Sequence, residues 1–160
     1  MDFELAKKVF QEYLKRYNVK DGSIALKIKH TYEVVKKSEY IANGLRLDKE
    51  KIELAKIIAL LHDIGRFEQI KEFGEFNDKK IEHAEFGVKV LFNNGLIRNF
   101  INEDKYDSII YKAIYNHNKY KIEKNLNEKE LLHCRIIRDA DKLDNFRVKE
   151  KDKIEDMFPI

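Results

Sequence analysis

The chain contains almost nothing that would interrupt an α-helix. Its 160 residues include one proline, Pro159, next to the C-terminal residue, and only six glycines. Both residue types disfavour a helix interior, proline because it removes a backbone hydrogen bond and clashes with the preceding turn. Long stretches without either can therefore stay helical, and apolar residues recur in them at steps of three and four. These features predict an all-α fold.

Apolar periodicity and helix-capping residues divide the chain into helices. The predicted helices cover residues 3–17, a segment capped by Ser23 that ends near Leu45, a segment capped by Asp48 that ends at Gly65, and residues 81–94, 106–117 and about 127–145. Residues 65–80 break the pattern and are predicted to form a loop with at most one helical turn. This loop follows the third helix directly, so we expect it to cover whatever binds at that helix end.

Composition limits the class of protein. The length predicts one domain over residues 1–160, and the net charge of +3 is too small to indicate nucleic acid as a partner. The one cysteine, Cys134, rules out an internal disulfide and is typical of a reducing compartment. There is no apolar run of the roughly 18 residues that span a membrane, and the N-terminus carries acids that a signal peptide lacks. We therefore expect a cytoplasmic protein.

The third predicted helix reads KIELAKIIALLHDIG from Lys51 to Gly65, and it is apolar around nearly its whole circumference. Such a helix is central and buried. Gly65 is placed to take the left-handed conformation that ends a helix, which would put His62 and Asp63 in the last turn. An imidazole and a carboxylate there could form half of a divalent metal site. The alternative is a capping or salt-bridge arrangement, which an isolated His-Asp pair makes more often.

Other histidines and one aspartate lie at inward or helix-terminal positions. His30 lies beside an apolar stripe, His83 is in a first helical turn, and His117 ends an inward stripe. Asp141 continues the buried stripe of its helix, where a carboxylate is costly without a cationic partner. A salt bridge to Lys142 or Arg135, and for His30 a hydrogen bond to a neighbouring carbonyl, are the alternatives. His133 and Cys134 are interpreted as packing residues.

Together the candidates form a set that suits transition metals. The set is His30, His62, Asp63, His83, His117 and Asp141. Imidazole and carboxylate ligands favour Fe, Mn, Co, Ni or Zn over Mg, and such sites are often assembled from facing helices. A carboxylate beside a histidine can also bridge two ions about 3.5–4 Å apart, an arrangement suited to phosphate ester chemistry.

The order of these residues resembles the HD superfamily of metal-dependent phosphohydrolases, whose mark is H…HD…D on an all-α bundle. The matching residues are His30, the His62-Asp63 pair and Asp141 in RDADKLD. His83 in HAEFG and His117 in NHN resemble the two additional histidines of the binuclear branch. The resemblance covers about residues 25–146. No GYP motif follows His117, and the signature of diadenosine tetraphosphate hydrolases is not evident, so those substrates are not implied. HDIGRFEQ, HAEFG and RDADKLD are most similar to small bacterial HD proteins.

The resemblance implies a helical bundle of about six to seven helices with the metal site between the central helices. It implies a phosphomonoesterase or phosphodiesterase that uses one or two divalent ions and a metal-activated hydroxide on a nucleotide or other small phosphate ester. His30, His62, Asp63 and Asp141 would hold the first ion, and Asp63 would bridge to a second ion held by His83 and His117. Asp63 would thus be catalytic.

Two basic residues near the predicted site are expected to meet substrate phosphate. Arg66 follows the His-Asp pair and is predicted to be catalytic and substrate-binding, and Lys142 follows Asp141. Solvated surface charge is the alternative for both. Two rival functions remain: an HD domain that senses a nucleotide or metal without hydrolysis, and a nucleic-acid-binding bundle, which the interspersed acids disfavour. The apolar residues Met157, Phe158 and Ile160 are expected to need a packing partner.

Overall fold

The protein is all-helical. This computed structural model describes residues 1–76, 78–79 and 81–157, with side chains described up to residue 148. The described residues form α1 (Phe3–Leu14), α2 (Gly22–Gly44), α3 (Lys49–Leu61), α4 (Ile64–Phe73), α5 (His83–Val88), a π-helical turn (Lys89–Asn93), α6 (Ile97–Phe100), α7 (Asp107–Asn116) and α8 (Glu128–Met157), and they contain no strand. The predicted all-α fold is confirmed. The predicted packing of Met157, Phe158 and Ile160 lies outside the described side chains.

The centre of the bundle is α3. Its residues from Ile57 to Leu61 are all fully buried, and α3 contacts α1, α2, α7 and α8. A helix that is apolar all round is stable only when neighbours cover every face, because each exposed apolar side chain forgoes the free energy of its burial. The prediction of a central, buried third helix is confirmed. The C-terminal end of α3 is therefore surrounded by other helices, whereas Asp48, Lys49 and Glu50 at its N-terminal end are exposed.

Acidic side chains cap the N-terminal ends of several helices. Asp48 accepts a hydrogen bond from the Lys51 backbone N–H at the start of α3, as predicted. The start of α2 differs from the prediction, because Asp21 rather than Ser23 accepts hydrogen bonds from the first free backbone N–H groups. Either residue type can cap a helix, so the sequence alone does not choose between neighbours.

The prediction for Gly65 and the segment after it was wrong. Residues 64–73 form α4, and Gly65 lies inside this helix without a left-handed backbone. The left-handed glycine that ends a helix here is Gly74, with φ of 74°. Ile64 and Phe67 on α4 are fully buried, and this burial stabilises the helix. The many charged residues of the segment obscure its apolar pattern in the sequence. His62 and Asp63 therefore occupy the junction between α3 and α4.

Gly65 is needed for close packing of α4 against α5. A Cβ at this position would overlap with the carbonyl oxygen of His83 and lie 2.7 Å from the amide nitrogen of Gly87. Both atoms belong to backbone, which cannot move aside as a flexible side chain can. The glycine thus lets α5, which begins with His83, approach the α3–α4 junction.

Gly65→Ala is expected to lower the free energy of unfolding by about 1–3 kcal/mol, the usual cost of overpacking a core. Urea denaturation monitored by circular dichroism measures this change. Gly44→Ala, at the end of α2, is the matched control, because no described residue has an atom within 4 Å of a Cβ there. The control should lose no stability, since alanine favours a helix over glycine. Equal stability of the two variants would contradict the packing role of Gly65.

The remaining predicted helices differ from the structure mainly at their ends, and the short α6 was not predicted. The predicted helix at 81–94 is α5 followed by the π-helical turn, and Gly95 follows it with φ of 71°. The helix at 106–117 corresponds to α7, and α8 continues beyond residue 145 to Met157. Among the described residues, none of the helices combines the length and the apolar character that crossing a membrane requires.

Candidate metal centre

Six side chains from five helical segments meet at one end of the buried α3. They are His30 of α2, His62 and Asp63 at the α3–α4 junction, His83 at the start of α5, His117 at the end of α7, and Asp141 of α8. Five of them are buried and Asp141 is half-buried. All of the metal-ligand candidates identified in the sequence are thus in one cluster.

Four of these side chains form a first group that could hold a metal ion: His30, His62, Asp63 and Asp141. The Nε2 atom of His30 lies 2.9 Å from Oδ1 of Asp141 and 3.4 Å from Oδ2 of Asp63. The Nε2 atom of His62 lies 3.4 Å from each of the same two oxygens. Two imidazole nitrogens and two carboxylate oxygens therefore converge on a common point.

Asp63, His83 and His117 form a second group. The Nε2 atoms of the two histidines lie 3.5 and 3.4 Å from Oδ1 of Asp63, and 3.1 Å from each other. Asp63 therefore directs Oδ2 to the first group and Oδ1 to the second. A carboxylate with one oxygen in each of two ligand groups has the geometry of a bridging ligand.

Two of the imidazoles are oriented by their own helices. The Nδ1–H groups of His62 and His117 donate hydrogen bonds of 2.6 Å to the carbonyl oxygens of Ala59 and Ile114, three residues earlier. A proton on Nδ1 leaves Nε2 of the neutral ring with a free lone pair, and this is the usual arrangement of a metal-binding histidine. Both Nε2 atoms point into the cluster.

The other two imidazoles are held by carboxylates. Nδ1 of His30 lies 2.6 Å from Oδ2 of Asp144, which is fully buried and also pairs with Lys37 and Arg147. Carboxylate partners of this kind raise the basicity of a histidine ligand. Asp144 follows Asp141 by three residues, and the sequence analysis assigned it no role.

Asp78 has the corresponding role for His83. It lies 3.2 Å from Nδ1 of His83 and also accepts a hydrogen bond from the backbone N–H of that residue. Asp78 is in turn contacted by the guanidinium of Arg66 at 3.1 Å and by Gln69 at 2.8 Å. Sequence reasoning missed Asp78, because its place in a polar segment carries no signal of a buried partner.

The electrostatics of the first group favour positive charge. Burial lowers the pKa of His62, but the charge of Asp63 and the contact with Asp141 outweigh it and raise the pKa to about 10. Burial raises the pKa of Asp63, yet the charges of His62 and Lys27 hold it well below its usual range. The carboxylates therefore remain ionised and attract a cation, and protons and a divalent metal would compete for this position.

Two features show that the donor set fits metal ions. Nε2 of His62 is buried and makes no hydrogen bond to the described residues. Nε2 of His117 carries a lone pair and lies 3.1 Å from Nε2 of His83, whose pKa burial lowers to about 4. Two nitrogens this close share one proton at most, and a cation between them would use both lone pairs. A buried nitrogen that makes no hydrogen bond and a facing pair of nitrogens are costly without such a partner.

The cluster opens into a cavity with a volume of about 320 Å³. Basic side chains line it together with the cluster residues: Lys27, Arg66, Lys119, Arg138 and Lys142. Both predicted phosphate-binding residues, Arg66 and Lys142, are thus at the cavity. Sequence reasoning missed Lys27, whose Nζ lies 3.0 Å from Oδ2 of Asp63.

Arg138 and Cys134, two further residues near the centre, contact backbone carbonyl oxygens and stabilise the surrounding structure. Arg138 donates hydrogen bonds to the carbonyl oxygens of Asn116 and Lys119, and so holds the chain that follows α7. Cys134 is buried, its thiol contacts the carbonyl oxygen of Lys112, and burial raises its pKa to about 12. The thiol is therefore protonated at neutral pH, as expected of a packing residue.

Comparison with known families agrees with this geometry. The family model described as HD domain matches residues 28–145, a segment that contains all six clustered side chains. No curated protein and no solved structure is significantly similar to the chain. The match covers well over half of the chain, and the H…HD…D residues within it converge in space. The chain therefore belongs to the HD domain family, the superfamily that its motifs resemble.

Proposed function

We propose that this protein is a metal-dependent phosphohydrolase that acts on a nucleotide or another small phosphate ester. The observation that carries this proposal is the position of Asp63, whose two carboxylate oxygens face two separate groups of imidazoles. Binuclear centres of this kind are well suited to displacement at phosphorus, because they stabilise the attacking and the leaving oxygen together. The volume of the adjoining cavity, about 320 Å³, suits a small ligand.

In this proposal the two groups hold two ions. His30, His62, Asp63 and Asp141 hold the first ion, while His83 and His117 hold the second, with Asp63 shared. Four imidazoles among six ligands favour Fe, Mn, Co, Ni or Zn, because Mg²⁺ prefers a shell of oxygens. When bound, such ions lower the pKa of a coordinated water and offset the charge of the phosphate oxygens.

The chain's own residues supply orientation and charge. Asp63 sets the position of both ligand groups relative to each other, and Asp144 and Asp78 keep two of the imidazoles in place. Arg66 and Lys142 at the cavity bind phosphate oxygens of the substrate, the guanidinium in a bidentate manner. Arg66 reaches the substrate by exchanging its contact with Asp78, which is part-exposed, for one with phosphate.

Purified without chelator, the protein is expected to contain close to two transition-metal ions per chain, and His117→Ala close to one. The reason is that His117 belongs to the second group alone. Elemental analysis of both proteins measures this. His133→Ala is the control, because His133 is also a buried histidine but lies outside both groups. An occupancy near one in wild type and His117→Ala alike would mean a mononuclear site, and no uptake of metal at all would remove the proposal.

The reaction itself is tested by phosphate release. Nucleoside mono-, di- and cyclic phosphates and simple aryl phosphates should be screened with Mn²⁺, Fe²⁺, Co²⁺, Ni²⁺ or Mg²⁺ added. The expected result is metal-dependent hydrolysis of at least one substrate that chelator abolishes. A protein that binds metal and nucleotide but releases no phosphate under any of these conditions would instead be a sensor.

A further inference from the structure

A second cavity lies at the opposite ends of the helices that carry the metal centre. It has a volume of about 420 Å³ and is lined by the first turns of α3, α7 and α8. His133 at this cavity precedes Asp141 by eight residues, and Leu54 precedes His62 by eight. At 1.5 Å per helical residue, the two cavities are about 12 Å apart along these helices. The second cavity is therefore separate from the metal centre.

Three of the four charged side chains that line this cavity are lysines. The described lining residues include Lys51, Lys105 and Lys129, against one acidic residue, Glu50. The ion pairs of two of these lysines are long: Lys51 lies 3.6 Å from Asp48, and Lys105 lies 3.9 Å from Glu103. Exposed pairs of this kind are weak, so the ammonium groups can turn to an incoming anion at little cost.

Backbone donors add to this charge. The N-terminal ends of three helices converge here, and each carries a partial positive charge. The ends of α3 and α8 are capped, by Asp48 and Asn127. The start of α7 has no cap from the described side chains, because Tyr106 occupies the capping position. Ser108 and Ile109 of its first turn line the cavity. The Asp107 N–H at this end donates to the carbonyl oxygen of Asp104, and the Ser108 hydroxyl donates to Glu130. The groups left for a phosphate, a common partner at helix starts, are the backbone N–H groups of Ser108 and Ile109.

Buried side chains also line the cavity, and one of their polar atoms lacks a partner among the described residues. Leu54 and Tyr106 line it and are buried. His133 is 2% exposed, and its Nδ1 makes no hydrogen bond to the described residues. A buried polar nitrogen without a partner costs free energy that a bound group can recover. The structure thus offers a hydrogen-bonding position beside apolar walls.

We propose that this cavity binds a small organic phosphate, whose phosphate lies at the lysines and the start of α7 and whose flat apolar part lies against Leu54 and Tyr106 within reach of His133. The lysines alone would select any anion. The apolar walls and the unpaired nitrogen select a ligand that carries a ring able to form a hydrogen bond. A nucleoside monophosphate has this combination of groups. The proposal does not depend on the activity of the metal centre.

Calorimetric titration of the full chain with AMP, with and without EDTA, tests the proposal. We expect saturable binding of AMP that persists in EDTA, which empties the metal centre and stops turnover. Adenosine and inorganic phosphate, each of which has half of the recognised groups, should bind at least about tenfold more weakly, since each charged hydrogen bond contributes about that factor. Equal affinity for either of them, or loss of AMP binding in EDTA, would overturn the proposal.

Three variants assign the binding to the cavity. Lys51→Gln with Lys129→Gln should weaken AMP binding about tenfold or more, and His133→Phe, which keeps a ring but removes both nitrogens, should weaken it several-fold. Lys142→Gln, at the metal cavity, is the matched control and should bind AMP like the wild type in EDTA. Circular dichroism and metal content verify that each variant is folded. Weakening by Lys142→Gln alone would place the binding at the metal centre and contradict the proposal.

Discussion

Asp63→Asn is expected to abolish phosphate release, with a loss of more than about 100-fold, while the helices remain formed. Removal of preorganised charge from an active site commonly has an effect of this size. Asparagine has nearly the same shape as aspartate, but it cannot offer two equivalent anionic oxygens to two ligand groups. In the structure these oxygens lie 3.4 Å from His62 and 3.4 Å from His117. Metal content should therefore fall together with activity.

The same variant separates a metal ligand from a simple ion-pair partner. If Asp63 only formed salt bridges with Lys27 and the histidines, its neutralisation would cost about 3–5 kcal/mol of stability and leave the metal content unchanged. Thermal unfolding, elemental analysis and phosphate release on one preparation discriminate between the two. Asp48→Asn is a suitable control, because Asp48 is exposed and caps the other end of α3. A variant that keeps its metals and activity would contradict the role assigned to Asp63.

Asp144→Asn is expected to weaken the affinity for the first metal ion about 10- to 100-fold. Loss of a carboxylate that holds a histidine ligand usually has an effect in this range. Asp144 is fully buried and lies 2.6 Å from Nδ1 of His30, so asparagine would keep a hydrogen bond but remove the charge that makes the imidazole a stronger donor. Competition with a chelator of known affinity measures the change.

Asp139→Asn on the same helix is the matched control for Asp144→Asn, because Asp139 is exposed and outside the cluster. Its metal affinity should equal that of the wild type. Asp144 also pairs with Lys37 and Arg147, so some loss of stability is expected in Asp144→Asn as well. A loss of stability with unchanged metal affinity would mean that Asp144 acts only through these pairs.

The residues of the candidate metal centre could be predicted because histidine and aspartate are unusual at inward-facing positions of a helix. An imidazole or carboxylate that continues a buried apolar stripe needs a polar partner. Inward-facing histidines and aspartates of this kind occur on several of the predicted helices. His30, His117 and Asp141 were each identified in this way and lie in the cluster. The family resemblance then indicated which of these residues should lie together in each ligand group. Their roles as ligands remain a prediction, which the metal analysis above tests.

The helix after the His-Asp pair could not be predicted, because glycine has two different uses. At Gly65 the sequence suggested a left-handed turn, whereas the structure uses the missing side chain for contact with the backbone of α5. Only the position of a distant segment distinguishes the two. The same limit applies to Asp144, whose partner His30 is 114 residues away in the chain. A contact of that kind leaves no local pattern.

In the proposed metal centre, the way in which the four imidazoles are held should make the two halves differ in the rate at which they lose their ions. His62 and His117 are fixed by carbonyls of their own helices, so both stay oriented as long as α3 and α7 persist. His30 depends on the fully buried Asp144, but His83 depends on Asp78, whose side chain is 40% exposed. Water and salt reach Asp78 far more readily than they reach Asp144. During dialysis against chelator, the ion beside His83 should therefore leave first, and a half-loaded protein should accumulate that retains the ion beside His30.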